Sequence, residues 1–253
     1  MTPAPLSLAV CTAVLFDLDG VITPTADVHM RAWRETFEPF LEARRVAPYS
    51  DSDYYHHLDG KPRYEGVAEL LASRHIELPW GSSDDPPSLH TVCGIGNLKN
   101  ADFARILEEE GVAAYPGSIT LLNALRDRGL PLAIVSSSKN AREVLRAAQL
   151  ENRFVTVVDG NVATAEGLAG KPQPDTFLRA ASILGVSPES AVVVEDALGG
   201  VAAAAAGRFG LVIGVNRGAG AGALHAAGAR LVVDDLAELV STLDQPSHSI
   251  GED

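Results

Sequence analysis

The 253-residue chain has two cysteines, two methionines and two tryptophans, and aromatic residues make up only 6% of it. Two thiols, Cys11 and Cys93, are too few for a disulfide framework, so the fold must be held by its own core. Each is expected to act as a small buried hydrophobe in a reducing compartment. No apolar run approaches the ~18 residues that span a bilayer, so no membrane partner is expected. The first ten residues lack a basic start and carry Pro3 and Pro5, which does not read as a signal peptide, and a cytoplasmic location is expected. Positive charge is scarce too. Twenty Lys and Arg against 33 Asp and Glu leave a net charge of −13, which disfavours nucleic acid and leaves room only for small anions where cations cluster locally.

With 46% hydrophobic and 21% charged residues, the chain can bury a core as one large or two small domains. Short apolar runs at 12–16, 130–135, 154–158, 191–194, 211–215 and 231–233 read as strands buried on both faces. Amphipathic helical patterns at 118–128, 141–150, 174–184, 197–207 and 236–243 lie between them. Strand alternating with helix predicts an α/β fold with a Rossmann-like parallel sheet. Residues 26–111 have no comparable β runs and read as an inserted helical cap. The expected division is therefore a core of 1–25 and 112–245, a cap of 26–111 and a disordered tail of 246–253. Within the cap, 79–87 (PWGSSDDPP) reads as a surface excursion. The alanine run 202–206 reads as a helix packed closely on a sheet. Residues 214–222 (GVNRGAGAG) read as a glycine-rich turn, since no GxxxxGK[ST] spacing is present.

Chemistry concentrates at strand ends. Residues 14–21, VLFDLDGV, run an apolar strand into two aspartates one residue apart and then a glycine. Alternation puts Asp17 and Asp19 on one side if the strand continues, at the sheet edge where open α/β folds bind ligands. Paired acids there can divide the roles of nucleophile and proton carrier. An Asx turn leaving the strand is the plainer alternative. Three other segments shift the balance: 133–140 (AIVSSSKN) with its hydroxyls and amides, 170–175 (GKPQPD) with Lys171, and 192–197 (VVVEDA) with Glu195 and Asp196. Converging acids, a lysine and an anion are compatible only if a divalent cation neutralises the carboxylates, and hard oxygen ligands favour Mg²⁺.

This motif set, DLDGV, SSSKN, GKPQPD and VVVEDA, resembles the haloacid dehalogenase superfamily of aspartyl phosphotransferases. The resemblance implies Asp17 as nucleophile and Asp19 as general acid/base, Ser136, Ser137 and Lys171 as phosphate ligands, and Asp17, Asp19, Glu195 and Asp196 at the Mg²⁺. DLDGVIT followed by Thr25, His29, Arg31, Ala32 and Trp33 is similar to the β-phosphoglucomutase branch, as are Gly60 and Arg63 in DGKPR and the pair Lys99 and Asn100. Ser138, Lys139 and Asn140 match that branch's extension of the second motif. Thr25, His29, Gly60, Arg63, Lys99, Ser138, Lys139 and Asn140 are thereby implied as substrate-binding residues, with Arg63 gripping the phosphate that is not being transferred. Two positions depart from the branch: Pro24 stands in place of aspartate and Asp59 in place of lysine. The cap also has extra segments around 51–55 and 81–89.

The implied activity is isomerisation of β-glucose 1-phosphate to glucose 6-phosphate through a bisphosphate, by a monomer acting on a small phosphorylated sugar. A phosphatase of the same fold and an inactive sugar-phosphate binding module are the alternatives. His56 and His57 are adjacent, so they do not share a helix face and read as structural. Cys93 has no histidine or second thiol nearby in sequence and reads as inert, and 108–110 reads as a solvated acidic face.

Overall fold

The computed structural model describes residues 8–243, and the expected tail at 246–253 lies outside the described residues. Among these residues the order is β1 (Ala13–Phe16), α1 (Thr25–Ala43), α2 (Asp51–Asp53), a π-helical turn (Tyr54–Leu58), α3 (Arg63–Ser73) and α4 (Val92–Glu110). Then follow α5 (Pro116–Asp127), β2 (Leu132–Val135), α6 (Ala141–Ala147), β3 (Thr156–Val158), α7 (Gly160–Glu166), α8 (Asp175–Leu184) and β4 (Ala191–Glu195). The last elements are α9 (Leu198–Ala206), β5 (Leu211–Val215), α10 (Ala221–Ala227), β6 (Leu231–Val233) and a 3₁₀ segment (Leu236–Thr242).

The six strands form one parallel sheet in the order β3-β2-β1-β4-β5-β6, and the fold is the expected Rossmann-like α/β class. Alternation along each strand feeds two cores. Val14, Phe16, Ile134, Val192, Val194 and Ile213 face one layer, with Leu121 and Leu125 of α5 and Val144 of α6. Ala13, Leu15, Ala133, Val193 and Val212 face the other, with Phe177 of α8, Ala203 and Ala204 of α9 and Leu224 of α10. The alanines of α9 are small enough to let that helix lie close to the sheet. Because the order turns back at β1, the carboxyl ends of β1 and β4 border the topological switch point, where a crevice opens.

The stretch between β1 and β2 is helical apart from its loops and has an apolar cluster of its own. Trp33, Phe37, Phe40 and Leu41 recur at helical spacing along α1 and meet Val67, Leu70 and Leu71 of α3 and Val92 and Ile95 of α4. Ala32 of α1 and Phe103 and Ile106 of α4 join the sheet's core instead. Two helices, α7 and α10, were not anticipated from the sequence. Each has seven residues, α7 buries none of them and α10 only Leu224, so no apolar stripe announces either one. The stretch expected as a helix at 236–243 is a 3₁₀ segment, opened by a capping box between Asp235 and Glu238.

Candidate active site

Phe16 ends β1 fully buried, and the next residue, Asp17, continues the ladder by donating its amide to Val194 O at 2.9 Å. The chain then turns sharply: the Gly20 amide donates to Thr23 O at 2.8 Å and the Thr23 amide to Leu18 O at 3.1 Å. Gly20 has φ +83°, and a Cβ there would lie 1.9 Å from Asp196 Oδ2, so both backbone conformation and space require glycine. This turn carries Asp17 and Asp19 to the carboxyl edge of the sheet.

Asp17 is nearly buried, and its Oδ1 accepts from Lys171 Nζ at 2.5 Å. The same ammonium donates to Glu195 Oε1 at 2.5 Å and to Val135 O at 3.1 Å, while Glu195 Oε2 accepts from the Ala197 amide at 2.9 Å. Burial lifts the Asp17 carboxyl well above the usual range despite Lys171, and the Glu195 and Asp19 charges add to the rise. Lys171 is pushed down by burial but held up overall by the charges of Asp17 and Glu195.

Asp19 is held from the other side. Thr25 Oγ1 donates to Asp19 Oδ1, Ser136 Oγ donates to Oδ2 at 3.3 Å, and Thr23 and Thr25 share a hydroxyl contact of 2.8 Å. His29 Nε2 stands 3.4 Å from Asp19 Oδ1 with no well-aligned hydrogen bond, while its Nδ1 meets Lys99 Nζ. The imidazole stacks on Phe103 with centroids 4.2 Å apart, and Lys99 lies 4.9 Å from the rings of both Trp33 and Phe103. Burial pushes Asp19 up, but the nearby His29, together with the Thr25 hydrogen bond and Lys99, outweighs it and holds Asp19 below the usual carboxylate range. Burial and the Lys99 charge lower His29, and burial and the Arg63 charge lower Lys99.

Beyond β2, the Ser136 hydroxyl accepts from the Ser138 amide at 3.1 Å, and Ser138 Oγ from the Asn140 amide at 3.1 Å. Two contacts reach across to the helical segment. Ser137 Oγ donates to Gly60 O at 2.8 Å, and Asn140 Nδ2 donates to Asn100 Oδ1 at 2.7 Å. The second oxygen also accepts from Arg63 Nη2 at 2.7 Å.

Many of these residues border one cavity of about 370 Å³, the size of a small-molecule site. Of the residues expected from the sequence, Asp17, Asp19, His29, Gly60, Arg63, Lys99, Ser136, Ser137, Ser138, Lys139 and Asp196 line it. Thr25, Asn140, Lys171 and Glu195 do not; their contacts with Asp19, Ser138, Asp17 and the Ala197 amide hold residues that do.

Among the described residues, no three His, Cys, Asp or Glu side chains stand as a ready metal cage. Glu195, expected as an anchor beside Asp196, accepts from Lys171 Nζ and from the Ala197 amide. Asp17, Asp19 and Asp196 remain facing the cavity, and no hydrogen bond reaches the Asp196 carboxylate among the described residues. Burial, then the charges of Asp59, Glu195 and Asp17, push Asp196 well above the usual range. Crowded hard oxygens with one buried lysine fit a divalent cation of the Mg²⁺ type.

A family model described as haloacid dehalogenase-like hydrolase matches residues 11–208. The chain belongs to that family. It is 46% identical over 238 residues, 90% of this chain and 91% of the relative, to a β-phosphoglucomutase of Mycobacterium bovis. It is 30% identical over 206 residues, 76% and 77% of the two chains, to hexitol phosphatase A of Escherichia coli. A crystal structure of β-phosphoglucomutase from Clostridium difficile matches with a TM-score of 0.74 at 25% identity, covering 90% of this chain and 93% of that one. The chain is thus an enzyme of the haloacid dehalogenase-like family, in its β-phosphoglucomutase-like branch.

Some of this family member's site was not read from sequence. Arg217, in the glycine-rich turn, donates from Nε to Gly20 O at 2.9 Å and lies 4.1 Å over the Tyr115 ring, bracing the turn between the two aspartates and α1. Asp59, noted only as a departure from the branch, lines the cavity, and burial followed by the Glu195 charge raises it to about 7. The loop at 79–87 is more than a surface excursion, because Trp80 and Ser83 line the same cavity. An exposed aromatic inside an otherwise Pro/Asp/Ser stretch was the available signal.

Other expectations concern residues outside the cavity wall. His56 Nδ1 meets Ser52 O at 2.6 Å and His57 Nδ1 meets Glu69 Oε1 at 3.3 Å. Cys11 and Cys93 are buried free thiols. Glu109 pairs with Arg105 and Glu110 with Arg31 on an exposed face. No helix among the described residues is long and apolar enough to cross a membrane.

Proposed function

We propose that the enzyme isomerises β-glucose 1-phosphate to glucose 6-phosphate by phosphoryl transfer through an aspartyl phosphate on Asp17, with a sugar bisphosphate that reorients between transfers. The observation that carries this reading is that one cavity is lined both by Asp17, Asp19 and Ser136 and by the cations Arg63 and Lys139, which we read as a transfer site and a distal phosphate site. Asp17 attacks as the carboxylate whose charge Lys171 compensates. Asp19, oriented by Thr25 and facing His29, donates or accepts the proton of the sugar hydroxyl. Ser136, Ser137 and Lys171 hold the transferring group, and Arg63 holds the distal phosphate.

Asp17, the Asp19 main-chain carbonyl and Asp196 would hold Mg²⁺, which supplies charge neutralisation for the phosphoryl group. Residues 26–111 serve as a cap that excludes water from the intermediate by closing on the core segments 1–25 and 112–245. A monomer in the cytoplasm belongs to the same reading.

³¹P NMR of β-glucose 1-phosphate with enzyme, Mg²⁺ and a trace of bisphosphate tests it. Glucose 6-phosphate appearing before inorganic phosphate is expected, and inorganic phosphate alone overturns the mutase. The second reading, a sugar-phosphate phosphatase, is favoured by the relative named hexitol phosphatase A and would use the same Asp17 and Asp19.

A further inference from the structure

Trp80 is a large apolar side chain that is 52% exposed, yet it lines the cavity that holds Asp17. Half-exposed aromatics on loops are commonplace when the loop is loose, but this loop is pinned. The Val92 amide donates to Pro79 O at 3.0 Å and the Cys93 amide to Trp80 O at 2.9 Å, so the first turn of α4 fixes the backbone on both sides of the indole. Asn97 Nδ2 donates to Ser83 O at 3.1 Å and to Asp85 O at 2.8 Å, and Thr91 Oγ1 donates to Asp85 Oδ2 at 2.7 Å. Asn97 in turn accepts from the Tyr64 hydroxyl at 2.9 Å, tying the loop to the residue after Arg63. Gly81 completes the anchoring: its φ is +78°, and a Cβ there would lie 2.2 Å from Asp85 Oδ2. The loop thus holds the backbone of Trp80 in place at the cleft, whose wall the indole helps to form.

The neighbours suggest what it meets. Tyr64 has two cations near its ring, with Arg63 Cζ 5.9 Å and Lys139 Nζ 5.6 Å from the centroid, and all three residues line the cavity with Trp80. A cation pair suited to phosphate and an exposed indole lining the same cavity match a ligand with an anionic group and a flat apolar face. A pyranose with equatorial hydroxyls has such a C–H face; an open-chain polyol phosphate has none. We propose that Trp80 is a specificity-determining residue that stacks on the ring of a hexopyranose phosphate and selects it over acyclic hexitol phosphates. This rests on the reading of the cavity as a sugar-phosphate site. An aromatic platform adds contact area and face-specific attraction, and a side chain with two χ angles on a pinned backbone orders at little cost.

Two measurements test the proposal. The first is kcat/KM for β-glucose 1-phosphate and for an acyclic hexitol 6-phosphate, in wild type and in Trp80→Ala. The preference for the ring substrate should fall about tenfold, through KM rather than kcat, with Trp80→Phe recovering most of it. Hydrolysis of acetyl phosphate, which has no ring, should stay within about twofold. An unchanged preference overturns the proposal, as does an equal loss on acetyl phosphate, which would make Trp80 a structural part of the cap.

The second is binding without turnover. Trp33 is 4% exposed, so the solvent-sensitive indole emission comes from Trp80. Glucose 6-phosphate should shift that emission to the blue in wild type and not in Trp80→Phe, and inorganic phosphate should leave it unmoved. Turnover of glucose phosphates without the shift overturns the stacking but leaves the mutase standing. A shift without isomerisation overturns the mutase but keeps the sugar-ring contact.

Discussion

Two adjacent glycines at the start of α9 should respond to alanine with opposite signs. In a helix, Gly→Ala ordinarily gains about 0.5–1 kcal/mol by restricting the unfolded chain. A Cβ on Gly199 meets nothing within 4 Å, so Gly199→Ala should show that gain. A Cβ on Gly200 would lie 1.7 Å from Glu195 Oε1 and 2.0 Å from Glu195 Cδ. That carboxylate cannot simply swing away, since Glu195 is 1% exposed and bonded to Lys171 Nζ and the Ala197 amide. Displacing it breaks at least one charge-assisted hydrogen bond, worth about 1.5–3 kcal/mol, and forces overpacking that costs about 1–3 kcal/mol. Subtracting the helix gain of about 1 kcal/mol leaves a net loss of roughly 1.5–5 kcal/mol. Lys171 would lose the partner that steadies it against Asp17, so turnover should fall as well. Urea unfolding at neutral pH reads the stability, with the m-value confirming that the same surface unfolds. A Gly200→Ala midpoint at or above that of wild type would refute the rigid placement of Glu195.

Asp19→Ala should lower turnover of sugar phosphate by roughly 10²–10⁴, with a smaller loss on nitrophenyl phosphate, whose leaving group needs little protonation. Equal losses on the two substrates would remove the proton-transfer role. Arg63→Ala should reduce the bisphosphate-dependent reaction by roughly 10–150-fold while barely changing hydrolysis of a small monoester, because only the former has a distal phosphate to lose. A parallel fall in both would make Arg63 a strut for Asn100. A third case concerns pH. Burial raises Asp53, but Arg74 at 2.7 Å and the Ser50 amide and hydroxyl outweigh it, holding the carboxyl below its ordinary value. The native state therefore keeps this carboxylate ionised where the unfolded chain has begun to protonate. Its stabilisation is complete above the unfolded pKa of about 3.9 and is lost as pH falls below that through the folded value. Asp53→Asn should lower the urea midpoint at pH 7 and flatten its decline below about pH 4, and an unaltered decline would refute the assignment.

The strands were legible because a sheet buried on both faces leaves a local mark: 191–194 and 211–215 are apolar with no alternation to confuse. The acids were legible for the same reason, since a carboxylate directly after such a run has one place to go. Asp17 follows Phe16, and Asp196 follows the last residue of β4. What could not be read is decided by contacts distant in sequence. Arg217 braces Gly20 across 197 residues, and nothing in GVNRGAGAG distinguishes it from any arginine in a turn. Trp80 sits in a segment whose prolines and aspartates correctly imply irregular backbone, yet composition says nothing about which way the indole faces.

Charge partners were equally hidden. Lys171 could be assigned to a phosphate from its motif, but its division between Asp17 and Glu195 depends on three elements meeting.

The distribution of contacts also bears on how the proposed cap could move. The helical segment is joined to the sheet at one end by apolar packing, through Ala32, Phe103 and Ile106. At the cleft the named contacts are hydrogen bonds: Ser137 to Gly60, and Asn140 to the Asn100 oxygen that Arg63 also uses. Hydrogen bonds can be exchanged for water at a net cost of about 0.5–1.5 kcal/mol each, whereas parting a buried apolar seam costs about 25 cal/mol for each Å² exposed. The segment should therefore swing open at the Gly60 and Asn100 edge and stay anchored at the Phe103 edge. Its own cluster around Phe37 and Leu70 would move as one body. Opening along that edge frees Asn140 from Asn100, while Arg63 stays bonded to Asn100 and is carried with the moving segment, so a substrate could enter with its distal phosphate between them.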